Sequence, residues 1–123
     1  MTLSERILSI GLVFALGIGA ASAADPPDAA MAAASQAIGV AERLEPRGPA
    51  ADRLAEARHL QAMAADAMGR RKYKDALRLA EEARAVADQA TARARLIAAR
   101  AEVEEKSARN ADLRRQLQME SQR

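Results

Sequence analysis

Residues 73–101 read YKDALRLAEEARAVADQATARARLIAARA. Within this stretch Tyr73, Ala76, Ala80, Ala83, Ala87, Ala90, Ala94, Ile97 and Ala101 follow three-four spacing without a break. Apolar positions at that spacing share one stripe of an α-helix, and a stripe sustained over several heptads is a helix-pairing seam. Nearly every seam residue is alanine, so the backbones that pair across it can approach closely. Leu77, Leu79, Val86, Leu96 and Val103 are expected to broaden the buried stripe. Past Ala101 the register continues as Glu104, Ala108, Ala111 and Arg115, which is far more polar. Leu113 and Leu117 form an i, i+4 pair in a shifted phase. The spacing predicts a single helix from Tyr73 to about Met119.

Working towards the N-terminus, Gly69-Arg70-Arg71-Lys72 is a short turn, which brings the preceding helix back antiparallel. Gly69 is placed to end that helix in a left-handed conformation. The second helix is predicted over about 49–68. Its apolar line is Ala50, Leu54, Ala57, Ala64 and Met68, interrupted by Gln61 and flanked by Leu60 and Ala67. Glu45-Pro46-Arg47-Gly48-Pro49 is a linker that no helix crosses, because proline lacks the N–H and its ring clashes with the preceding turn. Before it a first helix is predicted over about 27–44, with Asp25 as its cap and Pro26 or Pro27 in the first turn.

The fold class is therefore all-α: an antiparallel helical hairpin or three-helix bundle with a long, partly uncovered, coiled-coil-like C-terminal helix. A helix of about 47 residues spans roughly 70 Å and its two partners about 30 Å each. Only the first half of the third helix can be covered within the chain, and the part from about Ala98 onward has no intramolecular partner.

Composition supports this. The chain has 123 residues, no cysteine and 2% aromatics, so neither disulfides nor large rings can staple a small core. Alanine, leucine, glutamate, arginine and glutamine are the strongest helix formers. Nineteen basic residues interleave with 17 acidic ones, a formal net charge of +2, which is a solvated helix surface and excludes the dense basic stripe that nucleic acid requires.

The N-terminus carries a compartment signal. Arg6 lies in a short polar region, an apolar stretch runs from Ile7 to Ile18, and Ala21-Ser22-Ala23 is an A-x-A cleavage site. Residues 1–23 are predicted to be a signal peptide, leaving an alanine-rich domain over 24–123. The apolar stretch is shorter than the roughly 20 residues of a spanning helix, and neither a lipidated cysteine nor a twin-arginine pair is present. The periplasm of a bacterial envelope is the expected location.

No residue set for catalysis stands out, and no enzyme activity or cofactor is expected. His59 is the sole histidine, and no glycine-rich phosphate loop follows a strand. Glu56-Ala57-Arg58-His59 is a Glu-x-x-His with Asp52 one turn earlier, but di-iron bundles use two such motifs and two further glutamates. A solvated face with salt bridges is the simpler account. Tyr73 is expected to close the hairpin by packing, and Met63 and Met68 to fill the core. Arg70, Arg71, Lys72 and Lys74 cluster at the hairpin tip, a candidate contact for anionic lipid or an acidic partner. Glu102–Lys106 and Glu105–Arg109 are i, i+4 pairs that support a continuous helix.

Residues 32–101 resemble a bacterial family of alanine-rich envelope proteins known only as a domain of unknown function. The residues that carry the likeness are Ala55-Glu56-Ala57-Arg58 and the run from Gly69 through Tyr73 to Lys74-Asp75-Ala76-Leu77-Arg78-Leu79-Ala80-Glu81-Glu82-Ala83. The family turn resembles Gly-Asp-Tyr; here Arg70-Arg71-Lys72 makes it longer and more basic. The resemblance implies an envelope location and supplies no catalytic residue. Some members carry an OmpA-like peptidoglycan-binding domain after the helices; none lies in these 123 residues, and a wall-binding role is not carried over. The hairpin also resembles one tetratricopeptide unit, with Tyr73, Ala76 and Ala80 at its packing positions, whereas a solenoid needs about three.

Two functions fit. The first is a non-catalytic envelope adaptor, spacer or self-associating coiled coil that works through its C-terminal helix, on itself or on another envelope protein. The second is a periplasmic holdase-like or anionic-lipid-associating helical protein.

Overall fold

The computed structural model describes residues 25–123; the expected signal segment and its Ala21-Ser22-Ala23 site lie outside them. Three helices follow in order, α1 (Asp28–Glu42), α2 (Pro49–Gly69) and α3 (Tyr73–Ser121). No strand occurs among the described residues. The ends of α2 and α3 fall within two residues of those predicted, and α1 stops just short of Leu44.

The helix ends are built differently from expectation. Asp25 does not cap α1. Pro27 occupies the cap position without a side-chain bond, the Asp28 amide donates to the Pro26 carbonyl at 2.9 Å, and the Asp28 carboxylate sits in the first turn, where it complements the helix dipole. At the other end of α1 the Leu44 amide donates to the Ala41 carbonyl (3.2 Å) and the Glu45 amide to the Glu42 carbonyl (3.0 Å), tightening the last turn. Gly48 then takes φ 57° and ψ −132°, a conformation closed to side chains, and Pro49 opens α2.

The turn between α2 and α3 corrects the role predicted for Gly69. Gly69 is an ordinary last helical residue, and the left-handed residue is Arg71, at φ 59°. The Lys72 amide donates to the Ala67 carbonyl (2.9 Å) and the Arg71 amide to the Met68 carbonyl (3.0 Å). These are the two bonds of a Schellman cap, with arginine at the position that glycine usually fills.

α2 packs antiparallel on α3, and α1 runs alongside α3 in the same direction, touching both. The core has two parts. Near the turn Ala34, Ala64, Ala67, Ala76, Leu79, Ala80 and Ala83 meet, with Met31, Leu60 and Met68 against them. Further along, Ile38, Ala41, Leu54, Ala57, Val86, Ala87 and Ala90 meet, and Leu60 joins the two. Alanine dominates both, and no large side chain is wholly buried among the described residues. At about 0.8 kcal/mol per buried methylene, Ile38, Leu54, Leu79 and Val86 carry a large share of the stabilisation. Gln61, which interrupts the α2 line, is half-buried facing α1. It donates to the Ser35 hydroxyl, which in turn donates to the Met31 carbonyl at 3.0 Å.

Cover on α3 ends sooner than predicted. The 21 residues of α2, laid antiparallel from the turn, reach about as far as Arg93 at 1.5 Å per residue. Seam residues Ala76, Ala80, Ala83, Ala87 and Ala90 are buried and Tyr73 and Ala94 are half-buried. Ile97 is 46% exposed, and Ala101 is exposed. Of the flanking residues expected in the stripe, Leu79 and Val86 are buried, whereas Leu77, Leu96 and Val103 are exposed. Leu77 lies on the outer side of α3; Leu96 and Val103 lie beyond the end of α2.

Candidate functional site

The Schellman turn sets the hairpin tip. It projects Arg70, Arg71 and Lys72 between two helix ends, with Lys74 in the first turn of α3. Arg70 is withdrawn from the cluster: its Nε lies 3.1 Å from the Asp66 carboxylate one turn back. Arg71, Lys72 and Lys74 are exposed and have no carboxylate partner among the described residues. Asp75 follows directly, so the tip is less positive than the sequence run suggests.

Beside the tip, α2 and α3 leave a shallow groove of about 460 Å³ lined by His59, Met63, Asp66, Arg70, Lys72, Asp75 and Arg78 among others. Its charges alternate in sign and all are exposed. Met63, expected in the core, faces this groove at 43% exposure, because it sits one residue ahead of the buried Ala64; Met68 packs against the core as predicted.

The Glu-x-x-His of α2 lies on the open face. Glu56 accepts from Arg53 at 2.6 Å, and His59 is exposed. No group of three or more His, Asp or Glu side chains gathers to hold a metal among the described residues. Arg58, inside the same motif, reaches across to α1: its Nε and Nη2 both donate to Glu42 Oε1, at 3.0 and 2.7 Å. That pair ties α1 to α2 on the surface.

No family model, curated protein or solved structure matches the chain. What it can do must come from its own surface.

The surface that distinguishes it is the second half of α3. Beyond Ala94 the helix continues to Ser121 with every residue exposed. Ion pairs one turn apart hold it: Lys106 with Glu102 at 2.6 Å, Arg109 with Glu105, and Arg115 with Asp112. The two pairs expected from spacing, Glu102–Lys106 and Glu105–Arg109, are both present. Such exposed pairs each contribute about 0.2–0.5 kcal/mol, enough to favour helix without a neighbour. Against this polar background stand Leu96, Ile97, Val103, Leu113, Leu117 and Met119, each between 46% and 66% exposed. No described helix is long and apolar enough to cross a membrane.

Proposed function

We propose that this chain is a non-catalytic protein of a bacterial cell envelope, an adaptor, spacer or self-associating coiled coil that works through the uncovered half of α3. One observation carries the reading: an ion-paired helix extends past its own bundle and carries large apolar side chains that the bundle never covers. Isolated single helices need no Leu96, Val103, Leu113 or Leu117, and large apolar side chains repeated along one exposed side of a helix mark an interaction surface. The Ala21-Ser22-Ala23 site and the likeness of residues 32–101 to alanine-rich envelope proteins support the periplasm as the location.

The test is a photo-crosslinking residue at Leu113 of the full-length protein in its native cells, with the mature mass read from the periplasmic fraction. A crosslinked protein species and a mature N-terminus at Ala24 support the proposal. The absence of any crosslinked protein, or recovery of the chain in the cytoplasm, overturns it. The second reading rests on Arg71, Lys72 and Lys74, which form no ion pair among the described residues. It requires salt-sensitive flotation with anionic vesicles, abolished when these three residues are neutralised.

A further inference from the structure

The exposed apolar residues of the α3 extension are not a continuation of the alanine seam. Ala92, Leu96, Ala99, Val103, Lys106, Asn110, Leu113 and Leu117 follow their own unbroken four-three spacing. At about 100° per residue this stripe lies on the side of α3 opposite the one that α1 and α2 cover. A second helix can lie along it without meeting the chain's own bundle. Leu96, Val103, Leu113 and Leu117 are 49%, 66%, 58% and 66% exposed, so the stripe is unpartnered among the described residues.

We infer that a second copy of this chain covers the stripe, with the two α3 extensions antiparallel; the inference rests on the association reading above and names its occupant and geometry. Both side-chain size and charge select this arrangement. In a parallel pair each stripe residue faces itself. Lys106 would then meet Lys106, Ala99 would meet Ala99 with a gap between, and the flanking Arg95–Arg100 and Arg109–Arg114 contacts would each set like charges together, twice by symmetry. Turning one helix round about the centre of the stripe changes every one of these contacts. Leu96 faces Leu113, Ala99 faces Asn110, Ala92 faces Leu117, and Val103 faces Lys106, so that no alanine faces an alanine and no lysine faces a lysine. Lys106 keeps its own Glu102 at 2.6 Å and lays its methylene stem over Val103 of the other copy. On the flank, Glu102 of one copy comes opposite Arg109 of the other, again twice. One like-charge contact arises, Arg93 with Arg114, also twice, at the ends of the paired segment. The two bundles sit at opposite ends of the rod.

The experiment uses the purified mature chain, which contains no cysteine. Sedimentation equilibrium reads self-association, and it should show a monomer–dimer equilibrium. Arg109→Glu should weaken the dimer about tenfold, because two attractive contacts become repulsive. Combined with Glu102→Arg it should recover most of that loss. In a parallel dimer the sign reverses, since Arg109→Glu would then relieve a contact with Arg114. Mixing a chain carrying Ala99→Cys with one carrying Asn110→Cys should give mainly the mixed disulfide on oxidation. All four positions are exposed, but Arg109→Glu and Glu102→Arg each also lose a within-helix pair, with Glu105 and Lys106, worth about 0.2–0.5 kcal/mol, so helix content by circular dichroism should fall only slightly. A chain that remains monomeric, a tighter dimer with Arg109→Glu, or disulfides only between like chains overturns the inference. These outcomes leave the association reading standing if Leu113 still crosslinks to another envelope protein; loss of that crosslink as well removes both.

Discussion

The hairpin turn offers a test in which two substitutions, at Gly69 and Arg71, have signs that the sequence alone would assign differently, with a third at Gly48 of the α1–α2 linker as the control. Gly69 has ordinary helical geometry, and a Cβ built on it meets nothing within 4 Å. Gly69→Ala should therefore stabilise the fold by about 0.5–1 kcal/mol, the cost of glycine in a helix. Arg71 holds the left-handed position, which costs a non-glycine residue about 1–2 kcal/mol. Arg71→Gly relieves that strain but loosens the unfolded chain, leaving a net gain of about 0.5–1 kcal/mol. Gly48 is the control: at φ 57° an added side chain is strained even though space is open, and Gly48→Ala should destabilise by about 1–3 kcal/mol. The assay is urea unfolding followed by helix circular dichroism, at one low protein concentration because association would shift the midpoint. With a slope near 1 kcal/mol per molar for a chain this small, each gain moves the midpoint up by about 0.5–1 M. If Gly69→Ala lowers the midpoint and Arg71→Gly leaves it unchanged, the left-handed residue is Gly69 and the described turn is wrong.

Leu54→Ala removes one of the few large buried side chains and should cost about 2–5 kcal/mol, enough to leave the bundle largely unfolded by thermal melting at physiological temperature. The Thr91 hydroxyl is buried without a partner, so Thr91→Val should raise stability by about 1 kcal/mol; a loss in the same urea titration would mean that the hydroxyl is bonded. The exposed Arg58–Glu42 pair should give a double-mutant coupling of only about 0.2–1 kcal/mol that fades in high salt. Leu117→Glu lies outside the core and should leave the melting transition of the bundle in place at protein concentrations where the chain is monomeric.

Much of the architecture was legible because helix periodicity and helix breakers are local properties. The three-four run from Tyr73, the prolines around Gly48 and the turn at residues 69–72 each act within a few residues, and they placed all three helices. The cap residues were not legible. Asp25 and Gly69 have the right chemistry in the right places, yet the chain enters α1 through Pro27 and leaves α2 through Arg71. Which residue takes the strained conformation depends on where the α2–α3 packing requires the turn to point.

The candidate surface divides in the same way. Sequence determined that α3 outlasts its partners, because helix length follows from residue count and rise. It also determined that Arg70, Arg71, Lys72 and Lys74 share one tip. Tertiary structure alone decided where cover stops, since the antiparallel reach of α2 runs out near Arg93. It also decided that Arg58 of α2 reaches Glu42 of α1, sixteen residues back. A local pattern can say that a residue lies on an apolar stripe. Whether Leu79 is buried, or Leu96 is left for a second molecule, depends on which other helix occupies the space beside it.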